Sequence, residues 1–207
     1  MNFYTKHAYK IIDFPHHKKH KNKLLEFIKN DPTEEMLESV PTSIKYNGTD
    51  DVFDNSQIFK LDWIQHKNQH RPWVKSLLPD LLSSLRALIV PLGFNDLDLR
   101  AIWYQQYLKT NRHDWHYHSE HYTGVYYLEL PEGAPGTALY DNETGEIYVP
   151  KVKEGDLCIF PAMTIHKGME LLNAERKTVI SYNFNLINIS MDKRQELRDV
   201  ESGNTER

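Results

Sequence analysis

The sequence predicts an α+β chain in which helices come first and a mainly β core follows, of the sandwich or barrel kind. Three observations carry this. Between residues 97 and 186 short apolar runs are separated by turn signals at Pro131–Gly136, Asp141–Gly145 and Glu154-Gly155, the spacing of an all-β core. Two stretches with helical apolar spacing precede it. The 207 residues are 40% hydrophobic and 12% aromatic, enough to bury a sizeable core in one domain.

Residues 9–14, YKIIDF, read as a short strand ended by Pro15. Apolar positions 24, 25, 27 and 28 then mark an amphipathic helix, and the basic run HHKKHKNK before them reads as its solvated first turn. Residues 30–57 are polar, with Pro32, Pro41 and Asn47-Gly48, and read as a connection with a short helix at 33–39. IFKLDWI, 58–64, has strand character. From Trp73 to Ile89 the apolar stripe is helical, Pro79 either kinks that helix or opens its second part, and Gly93 closes it. Residues 1–96 are thus a helical support with edge strands, 97–187 the β core, and 188–207 a charged tail with helical character at 192–200.

Composition excludes several classes of function. Charged residues make up 26%, and the net charge is −4 with histidine neutral, which argues against a general grip on nucleic acid. The single cysteine, Cys158, excludes an intramolecular disulfide framework and a cysteine-rich zinc site; within a predicted strand it is expected to be a small buried hydrophobe. No apolar run approaches membrane-spanning length, and MNFYTKHAYK lacks the apolar stretch of a signal peptide. A soluble, cytoplasmic protein is expected, with monomer and homodimer both open.

The unusual count is eleven histidines, five of them from His113 to His166. In RHDWHYHSEH, His116 and His118 are two apart, so on a strand both face one spot. Imidazoles suit iron, zinc, copper or nickel. About 50 residues on, GDLCIFPAMTIH places His166 after a strand and a proline. Two imidazoles from one strand and a third from a distant one is how facial metal sites are assembled. In ERKTVISYNFNL, Ile180, Tyr182, Phe184 and Leu186 alternate with polar residues. Arg176 and Thr178 share the apolar parity, so both are expected to point inward. A buried guanidinium needs a partner, and its fork suits a carboxylate: an anionic cosubstrate beside the metal or an internal Asp or Glu, unless a bulge turns Arg176 outward.

WHYH, TGVYYLELPEG, GTALYD, EGDLCIFPAMTIH and ERKTVISYNFN together resemble the 2-oxoglutarate- and Fe(II)-dependent dioxygenases, and most nearly the small, often phage-encoded, prolyl-hydroxylase-like members. The resemblance covers about residues 97–187. It implies a double-stranded β-helix, a jelly-roll or cupin-like barrel, with flanking N-terminal helices. It further implies Fe(II) on His116 and His166, with 2-oxoglutarate and O2 as cosubstrates. Arg176, assisted by Thr178, would pair with the distal carboxylate of 2-oxoglutarate. Tyr107, expected on one strand face with Leu97, Leu99 and Trp103, matches a tyrosine that touches the cosubstrate, and Tyr127, with Thr123 on its face, matches a second. The implied reaction hydroxylates a C–H bond of a peptide or small molecule, releasing succinate and CO2.

One departure matters. The usual first motif is HxD, and His118 stands at the Asp position. Three readings stay open: His118 itself completes a three-histidine site, Asp114 or Glu120 supplies a carboxylate instead, or the site is inactive. Two other readings stay open: a cupin-type three-histidine metalloenzyme that does not use 2-oxoglutarate, and a non-catalytic β-roll binding module.

Overall fold

A computed structural model of the chain describes residues 8–32, 58–172 and 175–202. The expected helix at 33–39 lies outside these residues. The strands in chain order are β1 (Lys10–Asp13), β2 (Lys60–Leu61), β3 (Phe94–Tyr107), β4 (His113–His116), β5 (Tyr122–Glu129), β6 (Thr137–Tyr140), β7 (Ile147–Tyr148), β8 (Asp156–Pro161), β9 (His166–Gly168) and β10 (Lys177–Ile189). The helices are α1 (His17–Lys29), α2 (Pro72–Ile89) and α3 (Met191–Glu201). Of the expected strand at 58–64 only β2 forms, and the chain turns through a 3₁₀ segment at Trp63–Gln65.

All pairings are antiparallel. One sheet runs β1-β8-β5-β10-β3-β2 and the other β4-β9-β6-β7. This is the two-sheet, double-stranded β-helix expected from the motifs, with helices on the larger sheet. None of the described helices is long and apolar enough to cross a membrane.

The larger sheet is buried on both faces, and this governs where side chains point. Its outer face packs on α1 and α2. There Ile102, Tyr104, Tyr126, Ile180, Tyr182 and Phe184 join Leu24, Ile28 and the α2 stripe in one apolar cluster. Its inner face contributes Trp103, Tyr107, Val125, Tyr127, Phe160 and Val179 to a second cluster with Leu139 of the smaller sheet. Cys158 lies in that inner cluster, fully buried. Gly124 of β5 lies against Tyr182, where a Cβ would stand 2.2 Å from the ring.

α2 runs through Pro79 because that residue lies on the exposed face, where water satisfies the carbonyl left without its donor. α1 begins earlier than its apolar stripe suggests. Its basic turn is engaged rather than free: Lys19 and His20 bond Asp80 of α2 at 2.6 and 2.7 Å, and Lys21 bonds Glu154 at 2.5 Å. The tail helix α3 is capped by Ser190, whose hydroxyl accepts from Lys193 N.

Candidate metal centre

Two strands of the smaller sheet create the site. His116 of β4 is paired directly across from His166 of β9. Directly opposed side chains on one face are nearest neighbours, and the two rings are 4.1 Å apart. β4 ends at His116, so His118 follows the strand rather than lying on it. Its backbone N–H donates to Ala162 O at 2.8 Å, which fixes it beside the same point. The ligating atoms of His116, His118 and His166 all lie within 4.8 Å of one another.

Two of these imidazoles keep a nitrogen free to hold a metal. His116 Nδ1 bonds Asp114 O at 2.7 Å and His166 Nδ1 bonds Thr164 O at 2.9 Å. A carbonyl can only accept, so each Nδ1 carries the proton and each Nε2 keeps its lone pair, as metal-bound histidines require. Burial disfavours the charged form, lowering the pKa to about 4 for His116 and about 3 for His118, and well below the ordinary value for His166. All three are neutral at pH 7. The donor set therefore fits a divalent transition metal.

Neither alternative carboxylate joins this group. Asp114 Oδ1 accepts from Lys167 Nζ at 3.0 Å and from Trp115 N at 2.8 Å. Glu120 is half-buried beside a groove next to His118. The protein ligands thus bring no negative charge to a cation.

Arg176 does not project into the barrel. It is exposed, and its guanidinium makes a two-pronged pair with Glu129, Nε to Oε2 at 2.9 Å and Nη2 to Oε1 at 2.7 Å. Thr178 also donates to Glu129. The apolar parity of β10 marks the face toward the helices, because both faces of this sheet are covered. The polar row Lys177, Ser181 and Asn183 is the one that faces the barrel interior.

Lys177 occupies the position expected of Arg176. It is 2% exposed and lines the histidine cavity. Its Nζ donates to Pro135 O at 2.6 Å and lies 5.5 Å from the centre of the Tyr107 ring. No carboxylate pairs with it among the described residues, and burial alone lowers its pKa to about 8.

The remaining expected residues divide. Tyr107 and Thr123 line the cavity. Tyr107 does not share a face with Leu97 and Leu99, however. Arg100 is unpaired in the β3–β10 register, between Leu99↔Phe184 and Ala101↔Asn183. That bulge reverses the parity of everything after it. Thr123 donates to Asn183 Oδ1 at 2.7 Å. Tyr127 stands behind the cavity, donating to Thr137 Oγ1 and accepting from Thr137 N, both at 3.0 Å. Beside His118 a groove of about 630 Å3 opens, lined by Trp63, His66, Leu99, Ala101, Tyr117 and Glu120 among others. The Trp63 and His66 rings are stacked in its wall, 4.2 Å apart.

No family model and no curated protein matches the sequence. Solved structures do match the fold. An oxidoreductase of the 2OG-Fe(II) oxygenase family from Burkholderia pseudomallei is similar at TM-score 0.62 and 12% identity, over 88% of this chain and 87% of that one. A viral collagen prolyl hydroxylase from Paramecium bursaria Chlorella virus-1, in its 2OG complex, is similar at TM-score 0.58 and 13% identity, over 88% and 98%. A prolyl hydroxylase from Trichoplax adhaerens, in complex with a hypoxia inducible factor peptide fragment, is similar at TM-score 0.55 and 14% identity, over 93% and 87%.

Proposed function

We propose that this chain is a 2-oxoglutarate- and Fe(II)-dependent oxygenase that hydroxylates a C–H bond of a peptide or small-molecule substrate. One observation carries the reading: three neutral imidazoles, whose candidate ligand atoms converge on one point, share a cavity with a buried ammonium that has no carboxylate partner among the described residues. A divalent cation there, with no anionic protein ligand and Lys177 nearby, leaves the cavity strongly positive. An anion must balance it, and a dicarboxylate can chelate the metal at one end and reach the lysine at the other. The match to 2OG-Fe(II) oxygenase folds supports the same reading.

Bound Fe(II), with 2-oxoglutarate and O2, supplies the oxidation of the substrate C–H bond, with release of succinate and CO2. The protein's part is placement. His116, His118 and His166 hold the metal. Lys177 pairs with the distal carboxylate, helped by the Thr137 hydroxyl, which Tyr127 orients. Tyr107 and Thr123 bound the cosubstrate pocket, and Trp103, Val125 and Val179 limit water. The enclosed space is about 20 Å3, so the dicarboxylate enters as the flexible Lys177 side chain leaves Pro135. The groove beside His118 is the substrate side, and its mixed apolar and charged lining suits a peptide segment or an amphipathic metabolite. A reducing, cytoplasmic compartment suits both Fe(II) and the free thiol of Cys158.

The test is succinate release from 2-oxoglutarate by the Fe(II)-loaded protein in air. Succinate above a metal-free control supports the oxygenase reading. Iron binding without succinate, with or without peptide substrates, favours the cupin-type reading, and no metal binding favours a binding module.

A further inference from the structure

The cavity holds a fourth imidazole. His113 of β4 is 8% exposed and stacks on His116, with centroids 3.8 Å apart and 25° between the planes. It stands outside the ligand group, and its hydrogen bonding gives the reason. Gln105 Oε1 accepts from Ser181 Oγ at 3.2 Å, and the Gln105 amide nitrogen lies 3.2 Å from His113 Nδ1. An amide nitrogen can only donate, so it occupies the Nδ1 lone pair and the ring proton belongs on Nε2.

His116 and His166 have the opposite tautomer, because their Nδ1 atoms face carbonyls. His116 and His166 thus keep a free Nε2 that can ligate, while His113 Nε2 can only donate. His113 Nε2 has no protein acceptor among the described residues. Its neighbours in the cavity wall include the donors Lys177, Tyr107 and Thr137. A pocket rich in donors, beside a metal that lacks an anionic protein ligand, is short of acceptors.

We propose that His113 is an anion-binding residue, donating its Nε2–H to a carboxylate oxygen of the ligand that chelates the metal. The Gln105 amide nitrogen at Nδ1 sets it as a donor and keeps it off the metal. This rests on the oxygenase reading only in taking 2-oxoglutarate as that ligand. The bond supplies direction where Lys177 supplies charge.

Two variants of the full chain, loaded with diamagnetic Zn(II), test it. His113→Phe keeps the ring stacked on His116 and removes the donor. Gln105→Glu replaces the amide donor with an acceptor and draws the ring proton to Nδ1. Nitrogen-15 NMR of the histidine rings reads the tautomer, metal analysis reads Zn(II), and calorimetry reads binding of 2-oxoglutarate and of oxalate. The wild-type His113 proton is expected on Nε2. Both variants should bind Zn(II) as wild type does, and bind both anions roughly ten- to a hundredfold more weakly, the range for a hydrogen bond to a charged group. A wild-type proton on Nδ1, loss of Zn(II) in His113→Phe, or unchanged anion affinity in both variants overturns the proposal. Wild-type protein that binds oxalate but not 2-oxoglutarate defeats the oxygenase reading instead, and the oxalate comparison then decides the role of His113.

Discussion

Replacing Lys177 with methionine keeps the length of the side chain and removes its charge. Burial lowers the Lys177 pKa from 10.5 to about 8, so the charged form is disfavoured by about 3 kcal/mol at about 1.4 kcal/mol per pH unit. A carboxylate that pairs with the ammonium recovers up to that amount. Lys177→Met should therefore weaken 2-oxoglutarate binding by roughly a hundredfold, near the limit of about three-hundredfold that this shift sets. Metal affinity should stay within about threefold, because all three ligands lie elsewhere. Calorimetric titration of 2-oxoglutarate into anaerobic Fe(II) protein measures the first, and titration of Fe(II) into apoprotein the second. The sign with pH is fixed too. The ammonium is lost as pH rises through about 8, so wild-type affinity should fall above pH 8 while Lys177→Met stays flat. Arg176→Met is the control. Its side chain is 43% exposed and paired with Glu129, so 2-oxoglutarate affinity should change by less than about twofold, as for a surface pair. If Arg176→Met loses affinity and Lys177→Met keeps it, the assignment of the anion site is wrong.

Three further outcomes follow from the same geometry. The apoprotein should lose stability as pH falls from about 6.5 toward 4: the unfolded chain binds protons on His116 and His118 there while the folded site, with pKa values of about 4 and 3, does not. Thermal melts across that range, with and without Zn(II), measure this, and a flat apoprotein profile would contradict the buried neutral triad. Gly124→Ala should destabilise the fold by about 1–3 kcal/mol or more, since its Cβ meets the Tyr182 ring at 2.2 Å; an unchanged urea midpoint would show that Tyr182 can move aside. Cys158→Ser should bind metal and turn over like wild type per folded molecule, with stability lower by about 1–3 kcal/mol for a buried hydroxyl, and full loss of turnover in folded, iron-loaded protein would assign the thiol a role.

The histidine motifs made the three-histidine cluster legible: pairing His116 with His166 across β4 and β9 needs only strand character and a return of the chain. The order of helices and strands was legible for the same reason: long apolar stripes and turn signals are local. What failed was parity. The apolar row of β10 points inward in any one-sided sheet, yet here α1 and α2 cover the opposite face with an apolar layer of their own. Ile180 and Tyr182 pack there, and Lys177 turns to the barrel in place of Arg176. Bulges defeat counting as well. Arg100 reverses the alternation of β3, and a register shift between His113 and His116 brings two rings three residues apart into one cavity. Nothing local in RHDWHYH marks the first histidine as a partner of the other three. β2 is shorter than IFKLDWI suggests: strand propensity runs throughout that segment, but the buried contacts of Asp62 with Arg71, Trp73 Nε1 and Tyr104 N draw the chain into a turn.

Three histidines and an anion pocket are proposed to form an Fe(II)–2-oxoglutarate centre together. Anaerobic addition of 2-oxoglutarate to the Fe(II) protein, followed by visible absorption, tests it most directly. A metal-to-ligand band is expected that saturates at one 2-oxoglutarate per iron and per chain, and that is absent in His116→Ala and His166→Ala. A wild-type protein that holds one iron per chain and shows no band, or a band that survives in both alanine variants, would contradict it.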